Sequence, residues 1–385
     1  MPAHVQVRIA DVDWQSHARR LADEVTDSVS RWREPIAGTQ RHVFVPRWWE
    51  NRILRNGADD EAAWLEAAYS DRTLITRLGT LHADDAKSDD RPEGMPTSSA
   101  TLPSLMVQMY RHARLFDGAR ILDVGTGSGY GCALLAKRFG DASVTSVDVD
   151  PYLTRAASER LASIGLYPRI ETVDATGPLP GRYDRIVASV SVKPVPASWL
   201  TALRPGGRLV TVIAGTTAIL TATKQDDGWA EGRIEWDRAG FMAVRSGPDY
   251  PSGAEDLFAA VEHADGEDVA TGRYPVIHVA EAWELSSVLE VTAPGIMHYF
   301  DEAEDGTRTA WMVHADGSWA RATACGTGAP SVHQGGPRRL WNILDELRDY
   351  WLSHGYFQLY GAQAYIPPEG GKIHLARGGW KTTIT

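Results

Sequence analysis

The chain has 385 residues, of which 43% are hydrophobic, so it can bury a substantial core and exceeds one average domain in length. Its formal net charge of −11 argues against a surface that tracks phosphates, and nucleic acid is not expected as a partner. The two distant cysteines and the histidines show no metal-ligand spacing, so no metal is expected. No apolar run approaches the ~20 residues that span a bilayer, and the N-terminus lacks a signal-peptide pattern. We therefore expect a cytoplasmic protein without a membrane partner.

The N-terminal part, residues 1–96, is predicted to form a helical segment with a substrate loop. Apolar periodicity predicts helices over 14–32 and 61–69, and residues 71–78 can pair as a short strand. Residues 79–96 are acidic and polar, which is typical of a solvated linker or, alternatively, of a lid over an active site.

Several hydroxyl side chains gather just before the next predicted helix. Ser98, Ser99 and Thr101 precede Pro103, a residue suited to the first turn of a helix. One of the hydroxyls could cap that helix, but capping requires only one of them. The alternative is that the cluster holds a substrate group.

Residues 119–150 form the most informative stretch of the chain. They read as a buried strand, a glycine-rich turn, a helix and a second strand that ends in an acid. Gly125, Gly127 and Gly129 permit a tight turn and a close approach of the backbone to a ligand. Asp148 lies at the tip of the second strand, where an acid can accept hydrogen bonds from a ribose. The pattern predicts a nucleoside cofactor, and the G-x-G-x-G spacing favours S-adenosylmethionine over a dinucleotide.

Strands and helices continue to alternate after this stretch, with predicted helices at 151–164 and 196–203 and strands at 169–173, 183–189 and 208–213. This alternation predicts an α/β fold with a Rossmann-like, doubly wound parallel sheet. The glycine turn, Asp148 and Asp174 then fall at the carboxyl ends of the strands, where ligands bind in such sheets.

From about residue 216 the pattern becomes typical of antiparallel strands. Strands are predicted at 218–223, 229–236, 241–245, 288–291, 297–300, 308–314, 318–323, 357–365 and 372–375, and a helix at 337–354. Asp316-Gly317 is a hairpin signal. We therefore expect a Rossmann-like domain at 97–245 and a C-terminal α+β extension at 246–385. The high count of 14 tryptophans, many of them outside the cofactor segment, suggests aromatic-lined surfaces for a peptide-like partner, and we expect the extension to contribute to peptide binding.

Three motifs resemble those of protein-L-isoaspartate O-methyltransferases: Leu122–Tyr130, Tyr183-Asp-Arg-Ile and Leu203-Arg-Pro-Gly-Gly-Arg-Leu. His42-Val-Phe-Val-Pro is similar to the region before that family's substrate loop. The resemblance, which covers about residues 36–215, implies a class I S-adenosylmethionine-dependent methyltransferase fold. The family has a serine two positions before the proline of its helix, where this chain has Thr101.

The resemblance also implies a set of site residues. Asp148 is expected at the ribose, Asp174 and Ala175 at the adenine amine, and Asp123 with the glycine turn at the methionine part. The full set for the cofactor is Asp123, Gly125, Thr126, Gly127, Ser128, Gly129, Asp148, Val149, Asp174 and Ala175. The catalytic candidates are Thr101, Ser99 and Ser98, which would hold a carboxylate. A carboxylate is already ionised at neutral pH, so its methylation requires no general base.

Two acids in this region are expected to have other roles. Asp150 is favoured as the N-cap of the helix that begins at Pro151, and Asp184 is expected to be structural.

Three functions remain open. The longer architecture resembles the branch associated with graspetide and lanthipeptide maturation, which implies a modified precursor peptide whose aspartate is esterified and closes to an aspartimide. The second is isoaspartate repair, with the extension serving dimerisation or stability. The third is an inactive, cofactor-binding scaffold of a biosynthetic complex. The oligomeric state, monomer or homodimer, is left open.

Overall fold

The computed structural model describes residues 13–247, residue 250 and residues 255–385. The helices of this part are α1 Trp14–Val25, α2 Arg33–Ala37, α3 Glu61–Ala68, α4 Pro103–Ala113, α5 Tyr130–Phe139, α6 Pro151–Ser163, α7 Ala197–Ala202, α8 Glu255–Val261, α9 Trp283–Thr292 and α10 Leu340–His354. Its strands are β1 Arg47–Glu50, β2 Ile53–Asn56, β3 Leu74–Leu78, β4 Leu81–His82, β5 Pro96–Ala100, β6 Ile121–Val124, β7 Val144–Asp148, β8 Arg169–Thr172, β9 Tyr183–Val192, β10 Leu203–Ile213, β11 Ala218–Lys224, β12 Ala230–Arg238, β13 Asp268–Thr271, β14 Met297–Glu302, β15 Thr307–Val313, β16 Trp319–Cys325, β17 Ser331–Gly335, β18 Gln363–Ile366, β19 Ile373–Arg377 and β20 Trp380–Ile384.

The main sheet has the strand order β8-β7-β6-β9-β10-β11-β12-β18-β19-β20. The strands from β8 to β10 are parallel, and those beyond β10 join in antiparallel fashion. Because the chain passes from β6 to β7 on one side and returns to β9 on the other, the strand order reverses between β6 and β9. A ligand crevice forms at the carboxyl ends of the strands at such a reversal. The predicted α/β fold of a class I methyltransferase is confirmed.

The parallel strands are covered on both faces, as their apolar sequences predict. Ile121, Leu122 and Val124 of β6 are almost completely buried. One face packs against α4, α5 and the N-terminal helices, and the other packs against α7 and residues of the C-terminal part such as Tyr360 and Leu375. The glycine turn after β6 therefore stands on a rigid element.

The N-terminal part forms a second sheet, β2-β1-β3-β4, in which β5 pairs with β3. Hydrogen bonds and an ion pair hold the polar segment 79–96 against the rest of the protein. The Tyr152 hydroxyl donates to a carboxylate oxygen of Asp84 over 2.8 Å, and Arg160 contacts the same oxygen. Arg47 donates to the main-chain oxygens of Asp84 and Ala86.

The C-terminal part adds a five-stranded antiparallel sheet, β13-β17-β16-β15-β14, against which α9 and α10 pack. The hairpin predicted at Asp316-Gly317 lies between β15 and β16, and α10 ends at Gly355 in a left-handed conformation. The strands β18–β20 leave this sheet and complete the main one. The main sheet thus takes strands from both sides of the boundary predicted between residues 245 and 246.

Some element predictions are wrong, for identifiable reasons. The first helix ends at Val25 instead of residue 32, since Val29 is 93% exposed and belongs to no buried face. The strand predicted at 288–291 belongs to α9, where Val288 and Leu289 are buried on one side of a helix. The predicted strand at 241–245 makes a single bridge at Ala243, and the one at 357–365 begins only at Gln363.

Within the described residues, no helix combines the length and the apolar character that crossing a bilayer demands.

Candidate active site at the carboxyl edge of the main sheet

A cavity of about 170 Å³ opens where the strand order reverses. Its floor is formed by the ends of β6, β7 and β9, while β5 and residues 240–245 form its walls. The predicted residues that line it are Ser98, Ser99, Thr101, Asp123, Gly125, Thr126, Gly127, Ser128, Asp148, Val149 and Ala175. The fold therefore brings the hydroxyl cluster and most of the proposed cofactor residues to one place.

The glycine turn has a conformation that side chains would not permit. Gly125, Gly127 and Gly129 have φ values of 96°, 51° and 93°. A Cβ on Gly127 would lie 3.1 Å from the carbonyl oxygen of Ser99, and a Cβ on Gly129 would lie 2.9 Å from Cβ of Ala157. The turn thus needs glycine both for its left-handed backbone and for the close approach of β5 and α6.

Asp148 is fixed at the rim of the cavity by the main chain. Its Oδ2 accepts from the Gly127 amide over 2.9 Å, and its Oδ1 accepts from the Asp150 amide over 3.1 Å. Burial raises the pKa of this carboxyl, an effect that the two amides oppose. The side chain is therefore held in one orientation before any ligand binds.

Asp123 presents an unsatisfied oxygen in the buried end of the site. The Ser146 hydroxyl donates to its Oδ2 over 2.7 Å, whereas Oδ1 is buried and has no hydrogen-bond partner among the residues that the structure describes. Burial raises the pKa of Asp123 to about 7. The negative charge of the neighbouring Asp148 also raises this pKa, whereas the Ser146 hydrogen bond lowers it. A buried carboxylate oxygen without a partner fits a cationic group such as the ammonium of an amino-acid ligand.

Two predicted cofactor residues do not line the cavity. Asp174 accepts from the amide and the hydroxyl of Thr176 through Oδ1, and only its neighbour Ala175 faces the cavity. Gly129 is the N-cap residue of α5 and packs against α6 instead.

The hydroxyls do not cap α4. The N-cap residue of this helix is Leu102, which makes no side-chain capping bond. Ser98 and Ser99 lie on β5, where Ser99 pairs with Ile75 of β3. The Ser98 hydroxyl accepts from the Thr76 hydroxyl over 3.0 Å and keeps its own proton available. The capping alternative is therefore wrong for these residues.

A buried arginine that the sequence did not single out supports the hydroxyl segment. The guanidinium of Arg41 donates to five main-chain oxygens, those of Ala68, Ser70, Arg72, Ala100 and Thr101. It joins the end of α3 to the end of β5. Arg41 precedes His42-Val-Phe-Val-Pro by one residue, which is the only sequence signal that pointed to this region.

Residues 240–245 and Tyr250 form a wall that the sequence pattern also missed. Ser191 exchanges main-chain hydrogen bonds with this segment, donating to Met242 and accepting from Val244. The Tyr250 hydroxyl donates to the Ala243 carbonyl over 2.8 Å. The sequence pattern predicted a strand at 241–245 but gave no sign that this segment borders the cavity, because its position depends on main-chain contacts with Ser191.

Asp150 has the predicted capping role and a second one. It accepts from the Tyr152 amide as the N-cap of α6. Its Oδ2 also lies 3.1 Å from His82, 3.5 Å from Arg77 and 4.0 Å from Arg245. Burial alone would raise its pKa, but these partners bring it to about 2.

Asp184 is structural, as predicted. It lies at the opposite edge of the sheet, where it accepts from the Arg120 amide and pairs with Arg204.

Comparison with known proteins agrees with this geometry. Residues 88–241 match the family model described as Protein-L-isoaspartate(D-aspartate) O-methyltransferase (PCMT). Protein-L-isoaspartate O-methyltransferase 1 of Archaeoglobus fulgidus is 30% identical over 227 residues, which are 57% of this chain and 89% of that protein. The chain belongs to the protein-L-isoaspartate O-methyltransferase family.

Other relatives extend the comparison. Protein-L-isoaspartate O-methyltransferase 2 of Rhodopseudomonas palustris is 29% identical over 53% of this chain and 92% of its own length. A crystal structure of a Plasmodium falciparum protein-L-isoaspartate O-methyltransferase in complex with S-adenosyl-L-homocysteine is 15% identical, with a TM-score of 0.44 over 62% of this chain and 100% of that chain.

As a member of this family, the protein is an S-adenosyl-L-methionine-dependent O-methyltransferase of protein carboxyl groups. The unsatisfied Asp123 oxygen and the glycine turn fit that cofactor. Among the described residues, no three His, Cys, Asp or Glu side chains come together as a metal-binding group.

Proposed function

We propose that the protein methylates the α-carboxylate of isoaspartyl residues in peptides or proteins. The observation that carries this proposal is that the hydroxyls of Ser98, Ser99 and Thr101 line the same cavity as the glycine turn and Asp148. This arrangement supports the proposal, because hydroxyls that can donate to a carboxylate lie beside the residues proposed for the cofactor.

The cofactor residues divide by position along the cavity. Asp148 would hold the ribose through its remaining lone pairs, and Asp123 with the glycine turn would hold the methionine part. Val149 and Ala175 would border the adenine, whereas Asp174, which bonds to Thr176 outside the cavity, is not assigned this role. Bound S-adenosyl-L-methionine supplies an electrophilic methyl group on a positively charged sulfur.

The remaining contribution of the chain is to align the substrate. The hydroxyls of Thr101, Ser99 and Ser98 would donate to the carboxylate oxygens and fix one of them toward the methyl group. Alignment of this kind can supply much of the rate enhancement when the nucleophile is already charged. Arg41 would keep the segment in place through its bonds to Ala100 and Thr101.

The second candidate is methylation of an aspartate side chain in a modified precursor peptide, followed by aspartimide formation. The C-terminal part favours this candidate, because the Archaeoglobus relative aligns with only 57% of the whole chain and the additional residues can serve a peptide substrate. Helix α9 of that part lies next to the carboxyl ends of β9 and β10, where Glu290 contacts Lys193 and Ser287 contacts Thr217. A helix in this position can contact a peptide that enters the cavity.

One experiment separates the two candidates. The protein is incubated with S-adenosyl-L-methionine and either an isoaspartyl test peptide or a modified, aspartate-containing precursor peptide, and the masses are measured. A gain of about 14 Da on the isoaspartyl peptide supports the first proposal. A gain of about 14 Da followed by a net loss of about 18 Da on the precursor alone supports the second. Cofactor binding without transfer to either would indicate a scaffold.

A further inference from the structure

The chain contains six places where an aspartate or asparagine precedes glycine, the arrangement most prone to isoaspartate formation. In such pairs the backbone nitrogen of glycine can attack the side-chain carbonyl, because glycine has no Cβ to hinder it. The pairs are Asn56–Gly57, Asp117–Gly118, Asp227–Gly228, Asp265–Gly266, Asp305–Gly306 and Asp316–Gly317.

In five of the pairs the attacking nitrogen is held by a hydrogen bond. The glycine amides donate to Pro46 O (2.9 Å, from Gly57), Gln225 O (3.1 Å, from Gly228), His333 Nδ1 (3.3 Å, from Gly266), Ala303 O (2.9 Å, from Gly306) and His314 O (3.0 Å, from Gly317). Each bond must break, and its peptide plane must rotate, before the nitrogen can reach the side chain. These turns are therefore protected.

Asp117–Gly118 is different. Among the described residues, the Gly118 amide has no hydrogen-bond acceptor, and the turn is closed by the next amide, from Ala119 to the Phe116 carbonyl over 3.2 Å. Gly118 has a φ of 85°, and a Cβ added to it would meet no atom within 4 Å. The Asp117 side chain is 77% exposed and its one ionic contact, with Arg138, lies at the surface. Such an exposed pair restrains the side chain weakly.

We propose that Asp117 is the position at which this protein itself converts to isoaspartate, and that the converted residue is a methyl acceptor for a second copy of the enzyme. The acceptor role rests on the proposed function. Conversion begins when the Gly118 nitrogen bonds to Cγ of Asp117 and one water leaves. Water then adds at the main-chain carbonyl carbon of the ring, so that the chain continues through the side chain and the α-carboxylate is free.

Methylation of that carboxylate balances without a further reagent. One carboxylate oxygen takes the methyl group, and the positively charged sulfonium becomes the neutral thioether of S-adenosyl-L-homocysteine. The Gly118 nitrogen can then attack the ester carbon, which expels methanol and re-forms the ring, and hydrolysis returns some of the chain to aspartate.

The acceptor and the cavity of one molecule cannot meet. Asp117 lies before the amino end of β6, whereas the glycine turn follows its carboxyl end on the opposite edge of the sheet. The four residues of β6, at about 3.3 Å per residue in extended chain, span about 13 Å between the two sites and keep them apart. Methylation must therefore occur between two molecules, and its initial rate should rise with the square of the protein concentration.

The test uses the full chain aged for several days at neutral pH without cofactor. Aged and fresh protein are digested, aspartyl and isoaspartyl forms of each of the six peptides are separated by chromatography and mass spectrometry, and S-adenosyl-L-methionine with a deuterated methyl group is then added. We expect isoaspartate at position 117 to exceed that at each hydrogen-bonded pair by roughly fivefold or more, the factor that one hydrogen bond contributes. The label should appear on the same peptide.

Matched variants identify the site. Asp117→Ala should abolish most of the label, while Asp305→Ala, at another turn, should leave it unchanged. Equal isoaspartate at the protected pairs, or none at position 117, would overturn the proposal.

A synthetic isoaspartyl peptide separates this inference from the proposed function. If the enzyme methylates that peptide but not its own converted Asp117, the acceptor role fails alone. If it methylates neither, both the proposed function and the acceptor role that rests on it are wrong.

Discussion

Asp123 links the ionisation of a single residue to cofactor binding. Its carboxyl has a pKa of about 7 in the free protein because it is buried, and one oxygen has no partner. If that oxygen receives the ammonium of the cofactor, binding requires the ionised form. We therefore expect the affinity for S-adenosyl-L-methionine to fall by up to about tenfold per pH unit as the pH drops below about 7.

Calorimetric titrations between weakly acidic and weakly alkaline pH would measure this dependence. Asp123→Asn should bind more weakly at pH 8 and should lose the pH dependence, whereas Asp226→Asn, at an exposed position, should behave as the wild type. An Asp123→Asn variant with an unchanged pH profile would show that another group controls binding.

The same residue also predicts how the stability of the free protein depends on pH. A folded pKa raised from 3.8 to about 7 means that the folded state holds a proton that the unfolded state has lost between these values. The free energy of unfolding should therefore decrease as pH rises from about 4 to about 7, by a few kcal/mol in total. Urea unfolding of wild type and Asp123→Asn at pH 5 and pH 8 would check this, since the wild type alone should lose this contribution. Equal losses in both proteins would contradict it.

Substitution of Thr101 tests whether the hydroxyl cluster binds the substrate carboxylate. A hydrogen bond to a charged group is typically worth about 1.5–3 kcal/mol, so Thr101→Val should lower turnover of the isoaspartyl peptide by roughly tenfold or more. Cofactor affinity should not change, because the main-chain bond from Arg41 to residue 101 remains. Thr101→Ser keeps the hydroxyl and should remain near wild type. Equal turnover in the valine and serine variants would assign the role to Ser98 or Ser99.

At the scale of elements, the parts of the chain with regular periodicity were predictable from sequence. The strands β6 and β7 and helices α5 and α6 follow apolar patterns that burial between two layers imposes. The strand β5 was not predicted, because its Thr-Ser-Ser core carries no apolar alternation and exists through pairing with β3. Residues 241–245 were predicted as a strand, but their place in the cavity wall depends on contacts with Ser191, which is distant in sequence.

Helix α9 shows that the strand preference of single residues does not always decide the secondary structure. Its valines suggested a strand, but Val288 and Leu289 face the core together with Ser287, and Ser287 bonds back to the Trp283 carbonyl one turn earlier. Tertiary packing decided the element here.

Helix α6 depends on an N-cap that also organises charges beside the cavity. Asp150 accepts from the Tyr152 amide and neutralises buried Arg77 together with His82. Asp150→Asn keeps a capping side chain but removes the negative charge beside buried Arg77, so we expect a loss of about 3 kcal/mol in the free energy of unfolding.

Urea unfolding of Asp150→Asn would measure that loss, with Asp13→Asn at the exposed N-cap of α1 as a control that should change little. The pKa of Asp150 is lowered to about 2, so its contribution is present above about pH 4 and is lost as pH falls toward 2. Equal stability of the Asp150→Asn variant and the wild type at neutral pH would contradict the assigned charge pairing.

At the scale of the whole molecule, the C-terminal part is joined to the catalytic core in two ways. Its strands β18–β20 extend the main sheet through β12, and Ile366, Ile373 and Leu375 belong to the same apolar cluster as Leu209 and Leu220. Its helix α9 contacts the carboxyl ends of β9 and β10. The division at residue 245 therefore remains a proposal about function, in which the catalytic and peptide-binding roles separate while the strands do not.

The ion pair between Lys193 and Glu290 offers a direct test of that division. It joins the end of β9 to α9 over 2.7 Å, and both side chains are largely buried. Glu290 also accepts from the Gly295 amide, which fixes its orientation. Removing the charge leaves Lys193 buried without its partner and should shift α9 relative to the mouth of the cavity.

If the C-terminal part helps to hold the peptide, Glu290→Gln should raise KM for the peptide substrate severalfold while the Kd for S-adenosyl-L-methionine stays at the wild-type value, because the cofactor residues lie on β6, β7 and the glycine turn. Glu281→Gln is the matched control, since this side chain is 80% exposed and pairs only with His278 at the surface. A raised KM in Glu290→Gln alone would place α9 in the path of the peptide. An unchanged KM, with a lower free energy of unfolding, would make the ion pair purely structural, and the peptide would then be held by β5 and residues 240–245 without help from the C-terminal part.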